Sequence, residues 1–307
     1  MATRTLLRAG EGPTWLALAL CYAAWGLATG WVAGLPAPFG WLWAPITALA
    51  AAFHASLQHE ALHGHPTRSA ALNEALVFPA LGLLYPYRRF KDLHLRHHHD
   101  ERLTDPYDDP ETWYLAEGDL AALPRPLRWA LEANRTLLGR MILGPLLGTW
   151  ALIRQDLPGL LRGDPRVRDA WLRHAAGVAL VLGWLLWQGL SPLAYLALAA
   201  LPGAALIYVR TFVEHRAAEQ PSHRSAVIEA GRFWSLLFLN NNLHAVHHAE
   251  PSLPWHRLPD RYAARRGEVL AGNGGYAHEG YGDVFRRWLL RPREPLAHPF
   301  LRRAPDP

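Results

Sequence analysis

The chain has 307 residues, of which 50% are hydrophobic, with a formal net charge of +5 and a single cysteine. One cysteine, Cys21, rules out an iron–sulfur cluster or a thiolate zinc site in this chain. The basic residues are dispersed among apolar segments without a recognisable binding motif, which argues against a nucleic-acid partner. The mean hydropathy is near zero, so the distribution of apolar residues decides the class of protein.

Long stretches without charge alternate with segments rich in arginine. Four of them approach the roughly 20 residues that a helix needs to cross a bilayer. These stretches are 14–35, 39–58, 175–190 and 193–210. They form two hairpins with short uncharged connections. We therefore predict an all-α integral membrane protein, residues 1–307 forming a single domain with four transmembrane helices in two hairpins and a cytoplasmic helical cap.

The positions of the arginines predict the orientation of these hairpins. Arg4 and Arg8 precede the first stretch, and the long central segment is crowded with arginine, which places both in the cytoplasm by the positive-inside rule. Residues 59–170 and 215–307 are then cytoplasmic, as are both termini, and a bacterial inner membrane is the expected location. Two further apolar stretches, 72–87 and 137–153, are broken or borderline and are expected to lie in the membrane interface.

Nine of the seventeen histidines fall into four groups at the polar ends of these stretches. They are His59 and His63; His94, His97 and His98; His215; and His244, His247 and His248. Residues three and four apart share one face of a helix, so each group presents its imidazoles in one direction. The predicted topology also brings all four groups to the cytoplasmic side. Imidazole binds iron, zinc, copper or nickel, and nine nitrogens divided over two ions give four or five each.

Several polar residues next to these groups are candidates to orient the imidazoles by hydrogen bonding. The predicted partners are Glu60, Asp92, Glu214 and Asn241. The adjacent amides 240–242 are also interpreted as a cap for the following helix. The segment 105–110 has the composition of a turn with capping aspartates that orders the loop after the second group.

Three other histidines lie close to the predicted ligands. His65 and His99 are open to interpretation as alternative ligands or as partners of the ligands. His54 lies about one turn before the first group and either faces a substrate channel or packs in the protein interior.

Segments 59–63, 94–98 and 244–248 resemble the three histidine boxes of the membrane fatty acid desaturases and their hydroxylase relatives, and Glu214-His215 resembles the additional histidine of those enzymes. The resemblance covers roughly residues 39–260. It implies two non-haem iron ions held by the nine histidines, dioxygen as co-substrate, a lipid or acyl-chain substrate, and electrons from a separate ferredoxin, rubredoxin or cytochrome b5. Desaturation of an acyl chain is the function that it favours.

Two alternatives remain open from the sequence. A hydroxylase, a ketolase or an alkane monooxygenase would use the same ligands and give an oxygenated product. A membrane zinc hydrolase or a metal transporter is also compatible with imidazole ligands. A transporter should carry its ionisable ligands inside the membrane spans, whereas here they cluster at the ends of the spans.

Overall fold

A computed structural model of the chain describes residues 6–301; residues 1–5 and 302–307, including Arg4 of the predicted cytoplasmic N-terminus, lie outside the described residues. The helices of the described part are α1 (Gly12–Gly30), α2 (Trp43–Leu62), α3 (Ala70–Leu76), α4 (Tyr87–His97), α5 (Glu117–Ala122), α6 (Arg125–Asn134), α7 (Leu137–Leu161), α8 (Pro165–Trp187), α9 (Pro192–Tyr195), α10 (Leu201–Glu214), α11 (Arg232–Leu237), α12 (His244–Ala249), α13 (Leu258–Gly272) and α14 (Tyr281–Trp288). A π-helical segment, Leu196–Ala200, joins α9 to α10. Strands β1 (Val227–Ile228) and β2 (Ala277–His278) form one short parallel pair. The predicted all-α class is confirmed.

Helix α2 lies at the centre of the molecule, with 14 of its 20 residues buried. It packs between α1 and α10. Small side chains allow this close packing, since a Cβ at Gly203 of α10 would lie 2.8 Å from the carbonyl oxygen of Ala48 and 2.9 Å from the Cβ of Ala51. Helix α2 therefore has a fixed position, and its C-terminal end holds the first pair of histidines.

The opposite end of the molecule is held by aromatic side chains that hydrogen bond between helices. The indole of Trp25 donates to the hydroxyl of Tyr195 at 2.8 Å, and the indole of Trp184 donates to Thr29 Oγ1 at 2.8 Å. Tyr195 is fully buried and donates to the carbonyl of Leu81 at 2.9 Å. These bonds connect α1, α8 and α9 to the segment that follows α3.

Four helical stretches are long and apolar enough to cross a membrane: Gly12–Gly34, Leu137–Leu161, Pro165–Trp187 and Pro192–Glu214. Three of them overlap the predicted spans. The predicted span 39–58 is not in this set because α2 includes polar residues such as His54 and Gln58, which its buried position shelters from lipid. The exact boundaries of the spans stay a prediction.

The fourth candidate, α7, was expected to lie in the interface. Near one end, the guanidinium of Arg140 lies 5.6 Å from the ring of Phe212, three residues before His215. Near the other end, Asp156 forms an ion pair at 2.6 Å with Arg89 of α4, the helix that includes the second histidine group. Both ends of α7 therefore contact elements next to the histidines, and its interfacial position stays a prediction.

Candidate metal centre

The nine histidines selected from the sequence come together in two adjacent groups. Each residue of a group offers one ligand atom, and the ligand atoms of a group lie within 4.8 Å of one another. The five-histidine group consists of His59, His63, His94, His98 and His247. The four-histidine group consists of His97, His215, His244 and His248. Each group could hold one metal ion.

Helix geometry explains how so few elements build both groups. His59 lies in the last turn of α2 and His63 is its C-cap, so the two rings are one turn apart with centroids separated by 4.8 Å. His94 and His98 on α4 have the same spacing, and their Nε2 atoms are 3.0 Å apart. His247 completes the group, with its Nε2 atom 3.1 Å from that of His98.

The four-histidine group is built from other faces of α4 and α12 and from His215, which follows α10. The Nε2 atom of His215 lies 2.9 Å from that of His97 on α4 and 3.0 Å from that of His244 on α12. His215 leaves α10 with extended backbone, at φ −126° and ψ 151°, which turns its ring back toward α4. The rings of His98 and His248 stack at 4.3 Å, so the two groups are in direct contact.

A sharp turn and a set of amides position α12. Leu239 and Asn240 both have positive φ values, 48° and 56°, and reverse the chain between α11 and α12. The amide of Asn242 donates to the carbonyl of Ile228 at 2.7 Å, and that of Asn240 to the carbonyl of Trp255 at 3.1 Å. The side-chain amides at 240–242 therefore fix the segments around Ile228 and Trp255 and contact the ligand His244. The predicted cap of α12 is wrong, because its N-cap residue is Leu243 and makes no side-chain cap bond.

The spacing of the nitrogens tests whether metal ions fit. With metal–nitrogen bonds of roughly 2.1 Å, neighbouring ligands at right angles are roughly 3.0 Å apart, whereas tetrahedral ligands are roughly 3.4 Å apart. The five Nε2–Nε2 distances lie between 2.9 and 3.1 Å. In addition, the buried Nε2 of His63 has no hydrogen-bond partner in the described part of the chain. The number and spacing of these nitrogens therefore fit one metal ion in each group.

Burial keeps most of these imidazoles in the neutral form that binds metal. Burial, together with the neighbouring imidazoles, lowers the pKa of His63 to about 2. Burial likewise holds the pKa of His94, His215, His244 and His247 well below the usual value. Their lone pairs are therefore free at neutral pH.

His97 differs from the other members of its group. Burial acts to lower its pKa, but the carboxylates of Glu111 and Asp109 outweigh burial and raise the pKa to about 9. Binding of a metal ion at His97 Nε2 therefore displaces a proton from this residue.

Two carboxylates contact the imidazoles from the outside. Asp109 is buried and accepts a hydrogen bond from His97 Nδ1 at 2.8 Å. Glu111 accepts one from His94 Nδ1 at 3.0 Å. A proton held on Nδ1 leaves Nε2 as the ligand atom, so these carboxylates fix the orientation of the two rings. The sequence predicts a turn at 105–110 and does not assign these roles; two acidic residues a short loop after a histidine box are the signal that could have found them.

The four predicted partners have different surroundings. Asn241 Oδ1 lies 3.1 Å from His244 Nδ1, and its Nδ2 lies 3.5 Å from His59 Nε2, so this amide contacts both groups. Glu214 lies 3.5 Å from His244 Nδ1 and 2.7 Å from the guanidinium of Arg210.

The other two carboxylates contact different partners. Glu60 accepts the backbone N–H of Trp255 at 3.2 Å and so holds the segment after α12. The expectation for Asp92 does not agree with its position. Its side chain is 53% exposed and pairs with Arg89, because Asp92 precedes His94 by two residues and faces away from it on α4.

The three additional histidines lie outside both groups. His65 is buried, and its Nδ1 hydrogen bonds to Glu11 at 2.5 Å while its Nε2 contacts the carbonyl of Ser252 at 3.0 Å. His99 is exposed. His54 is buried with its Nε2 atom 3.1 Å from the hydroxyl of Tyr22, and it lines the cavity described next.

A cavity of about 540 Å³, the central cavity, extends from the four-histidine group. His97 and His215 line one part of it, and Leu127 and Leu131 of α6 together with Leu147 of α7 line another. Its size and apolar lining are typical of a site for a small organic molecule. A molecule bound in this cavity would lie beside His97 and His215.

The comparisons with known proteins agree with this geometry. The family model for fatty acid desaturases matches residues 35–280, which include all nine histidines of the two groups. A search of curated proteins finds no match to the chain. Members of this family are membrane-associated oxidoreductases that act on lipids. The match covers well over half of the sequence, and the chain therefore belongs to the fatty acid desaturase family.

Proposed function

We propose that this protein is a membrane-bound diiron oxidoreductase that uses dioxygen and two electrons to desaturate a fatty acyl or acyl-like chain. The observation that carries the proposal is the division of nine imidazoles into groups of five and four beside an apolar cavity. The balanced reaction is R–CH2–CH2–R′ + O2 + 2 e⁻ + 2 H⁺ → R–CH=CH–R′ + 2 H2O. Two iron ions bound to the two groups would supply the reduction of dioxygen and the removal of hydrogen.

The protein contributes ligands whose orientation is set in advance. Asp109 and Glu111 hold the Nδ1 protons of His97 and His94, so that both Nε2 atoms face the centres of their groups. Asn241 lies between the groups and offers an amide beside His59. Polar groups that are already oriented need no rearrangement during the reaction, which lowers its barrier.

The central cavity contributes an environment without bulk water. Apolar side chains of α6 and α7 form much of its wall, and the hydroxyls of Tyr85 and Tyr208 hydrogen bond to each other at 2.9 Å instead of to solvent. An extended acyl chain placed there would have its methylene groups beside His97 and His215. Excluding water also protects a reactive centre from side reactions.

We further propose that the electrons come from a separate ferredoxin, rubredoxin or cytochrome b5. The predicted orientation, with both termini and the histidines facing the cytoplasm of a bacterial cell, gives such a soluble carrier access to the centre. The arginine-rich composition of the segments outside the spans supports this orientation.

The experiment that tests the proposal compares lipids from a bacterial host that expresses the wild-type protein, His247→Ala or His99→Ala together with a ferredoxin system. Lipids that have lost two hydrogens are expected with the wild type and with His99→Ala, because His99 is exposed and outside both groups. They should be absent with His247→Ala. Mass spectrometry distinguishes this result from a gain of oxygen, which would replace desaturation by hydroxylation or ketone formation.

Metal analysis of the same purified proteins separates iron from zinc. The proposal requires two iron ions per chain in the wild type and a lower content in His247→Ala. Zinc bound in place of iron, with no consumption of oxygen, would contradict the proposal and favour a hydrolase or a transporter.

A further inference from the structure

One buried arginine in the wall of the central cavity has no carboxylate partner among the described residues. Arg140 of α7 is 7% exposed, and its guanidinium stacks on the indole of Trp113 at 4.0 Å. In the described part of the chain its one hydrogen bond runs from Nε to the carbonyl of Asn134 at 3.2 Å. The donors on both Nη atoms are therefore free to bind a ligand.

The other buried or half-buried arginines of the cavity are neutralised. Arg210 pairs with Glu214 at 2.7 Å, and Arg293 lies 3.6 Å from Glu294. Arg135 pairs with Glu132. The remaining arginine of the lining, Arg154, is exposed, so Arg140 is the buried positive charge of this cavity that is left without a negative partner among the described residues.

A buried charge that lacks a partner costs free energy, and a bound anion would offset this cost at Arg140.

We propose that Arg140 binds the carboxylate of a free fatty acid, so that the substrate enters the central cavity as the acid. The fork of N–H donors on a guanidinium matches the two oxygens of a carboxylate. One unmatched positive charge balances one carboxylate, whereas an ester or a thioester leaves it unmatched and a phosphate brings more negative charge. Leu127, Leu131 and Leu147 line the cavity where the hydrocarbon chain would lie.

This inference rests on the proposed function, because it names the form in which the lipid binds. Binding to the purified protein tests it without any need for turnover. Displacement of a radiolabelled fatty acid is measured with unlabelled acids from decanoic to stearic, with their methyl esters, and with lysophosphatidic acid. The wild type should bind the acid that fits best about tenfold to a hundredfold more tightly than its methyl ester, as expected for a hydrogen bond to a charged group.

Three variants test whether Arg140 causes the preference for the acid over the ester. Arg140→Gln should bind acid and ester with similar affinity, while Arg140→Lys should keep part of the preference, because it retains the charge but loses the fork. Arg162→Gln is the matched control, since Arg162 is an exposed arginine at the C-cap of the same helix. It should behave as the wild type. An iron content equal to that of the wild type shows that each variant is folded.

Several results would overturn the inference. Equal affinity of the wild type for acid and ester, tighter binding of lysophosphatidic acid, or no binding of any acid would each do so, even if Arg140→Gln fails to fold. Failure of this proposal is distinct from failure of the proposed function. Desaturated lipids in cells without a preference for the acid would refute only the carboxylate site, whereas acid binding that depends on Arg140 without any oxidised product would refute only the reaction.

Discussion

Replacement of Asp109 by asparagine should weaken one of the two metal groups selectively. Asp109 Oδ1 accepts hydrogen bonds from His97 Nδ1 at 2.8 Å and from the N–H of Glu111 at 2.9 Å, while Oδ2 accepts from the N–H of Thr104 at 2.8 Å. An amide has only one acceptor oxygen. Its NH2 group must therefore face either His97 or Thr104, and one buried N–H donor then meets another donor.

The size of the effect follows from these contacts. Loss of a buried hydrogen bond to a charged group costs about 1.5–3 kcal/mol. Loss of an outer partner of a ligating histidine lowers metal affinity by about tenfold to a hundredfold, which corresponds to about 1.4–2.7 kcal/mol. His97 belongs to the four-histidine group alone, so this loss should fall on one metal ion of the two.

The assay is the iron content of the purified protein after equilibration against buffers of graded free iron. In the wild type both ions should bind over a common range of concentration. In Asp109→Asn one ion should need about tenfold to a hundredfold more free iron, while the other keeps the affinity of the wild type. Asp119→Asn, which removes an exposed carboxylate from the first turn of α5, is the matched control.

Glu111→Gln completes the comparison, because Glu111 accepts a hydrogen bond from His94, a member of the five-histidine group. The Glu111 side chain is 32% exposed, so water can replace part of its hydrogen bond and the loss should be smaller than for Asp109→Asn. Equal weakening of both ions in Asp109→Asn, or unchanged affinity for both, would refute the assignment of one outer carboxylate to each group.

Three further predictions concern stability. Chelation of the metal should lower the free energy of unfolding by about 2.7 kcal/mol for each site held at a hundred times its Kd; the melting temperature should fall with it, and iron should restore both. His65→Gln should lower the melting temperature by leaving Glu11 buried without its partner, yet keep the iron content of the wild type; a loss of iron would make His65 a ligand. Gly148→Ala should cost about 1–3 kcal/mol of unfolding free energy, because a Cβ would lie 2.1 Å from the Tyr208 hydroxyl. Thermal unfolding checks it against Gly183→Ala, where a Cβ meets nothing within 4 Å; equal effects would refute the steric argument.

The histidines could be predicted from the sequence because helical periodicity fixes which rings share a face. Their division into two groups could not. His97 and His98 are neighbours in the chain, but a helix turns about 100° per residue, so they face different groups. The packing of α4 against α2, and the contact of His97 with His215 after α10, decide which ring faces which partner. The spacing of the histidines predicts that their rings converge on one site. The tertiary structure determines which histidines belong to each group.

The surroundings of other predicted elements have a similar origin. The sequence predicts a span for 39–58 from its apolar residues alone, and this span stays a prediction; the structure adds that α2 is buried between two other helices, which accommodates its polar residues. Asp92 was chosen for its closeness to His94 in the chain, but the carboxylate that contacts His94 comes from Glu111, in a loop. Contacts made by loops depend on how the whole chain folds, so acidic residues after a histidine box are candidates whose partner imidazoles the sequence does not identify.

The loop between α4 and α5 connects metal binding with substrate binding. Within a few residues it supplies Asp109 and Glu111 to the imidazoles and Trp113 to the guanidinium of Arg140. The loop is tied to the rest of the protein at Tyr114, whose hydroxyl accepts the N–H of Ala217 at 2.9 Å. Any shift of this loop moves the imidazole partners and the cavity wall together. Substitutions in it that alter the choice of substrate should therefore also alter metal affinity, whereas substitutions in the leucines of α6 should alter the substrate alone.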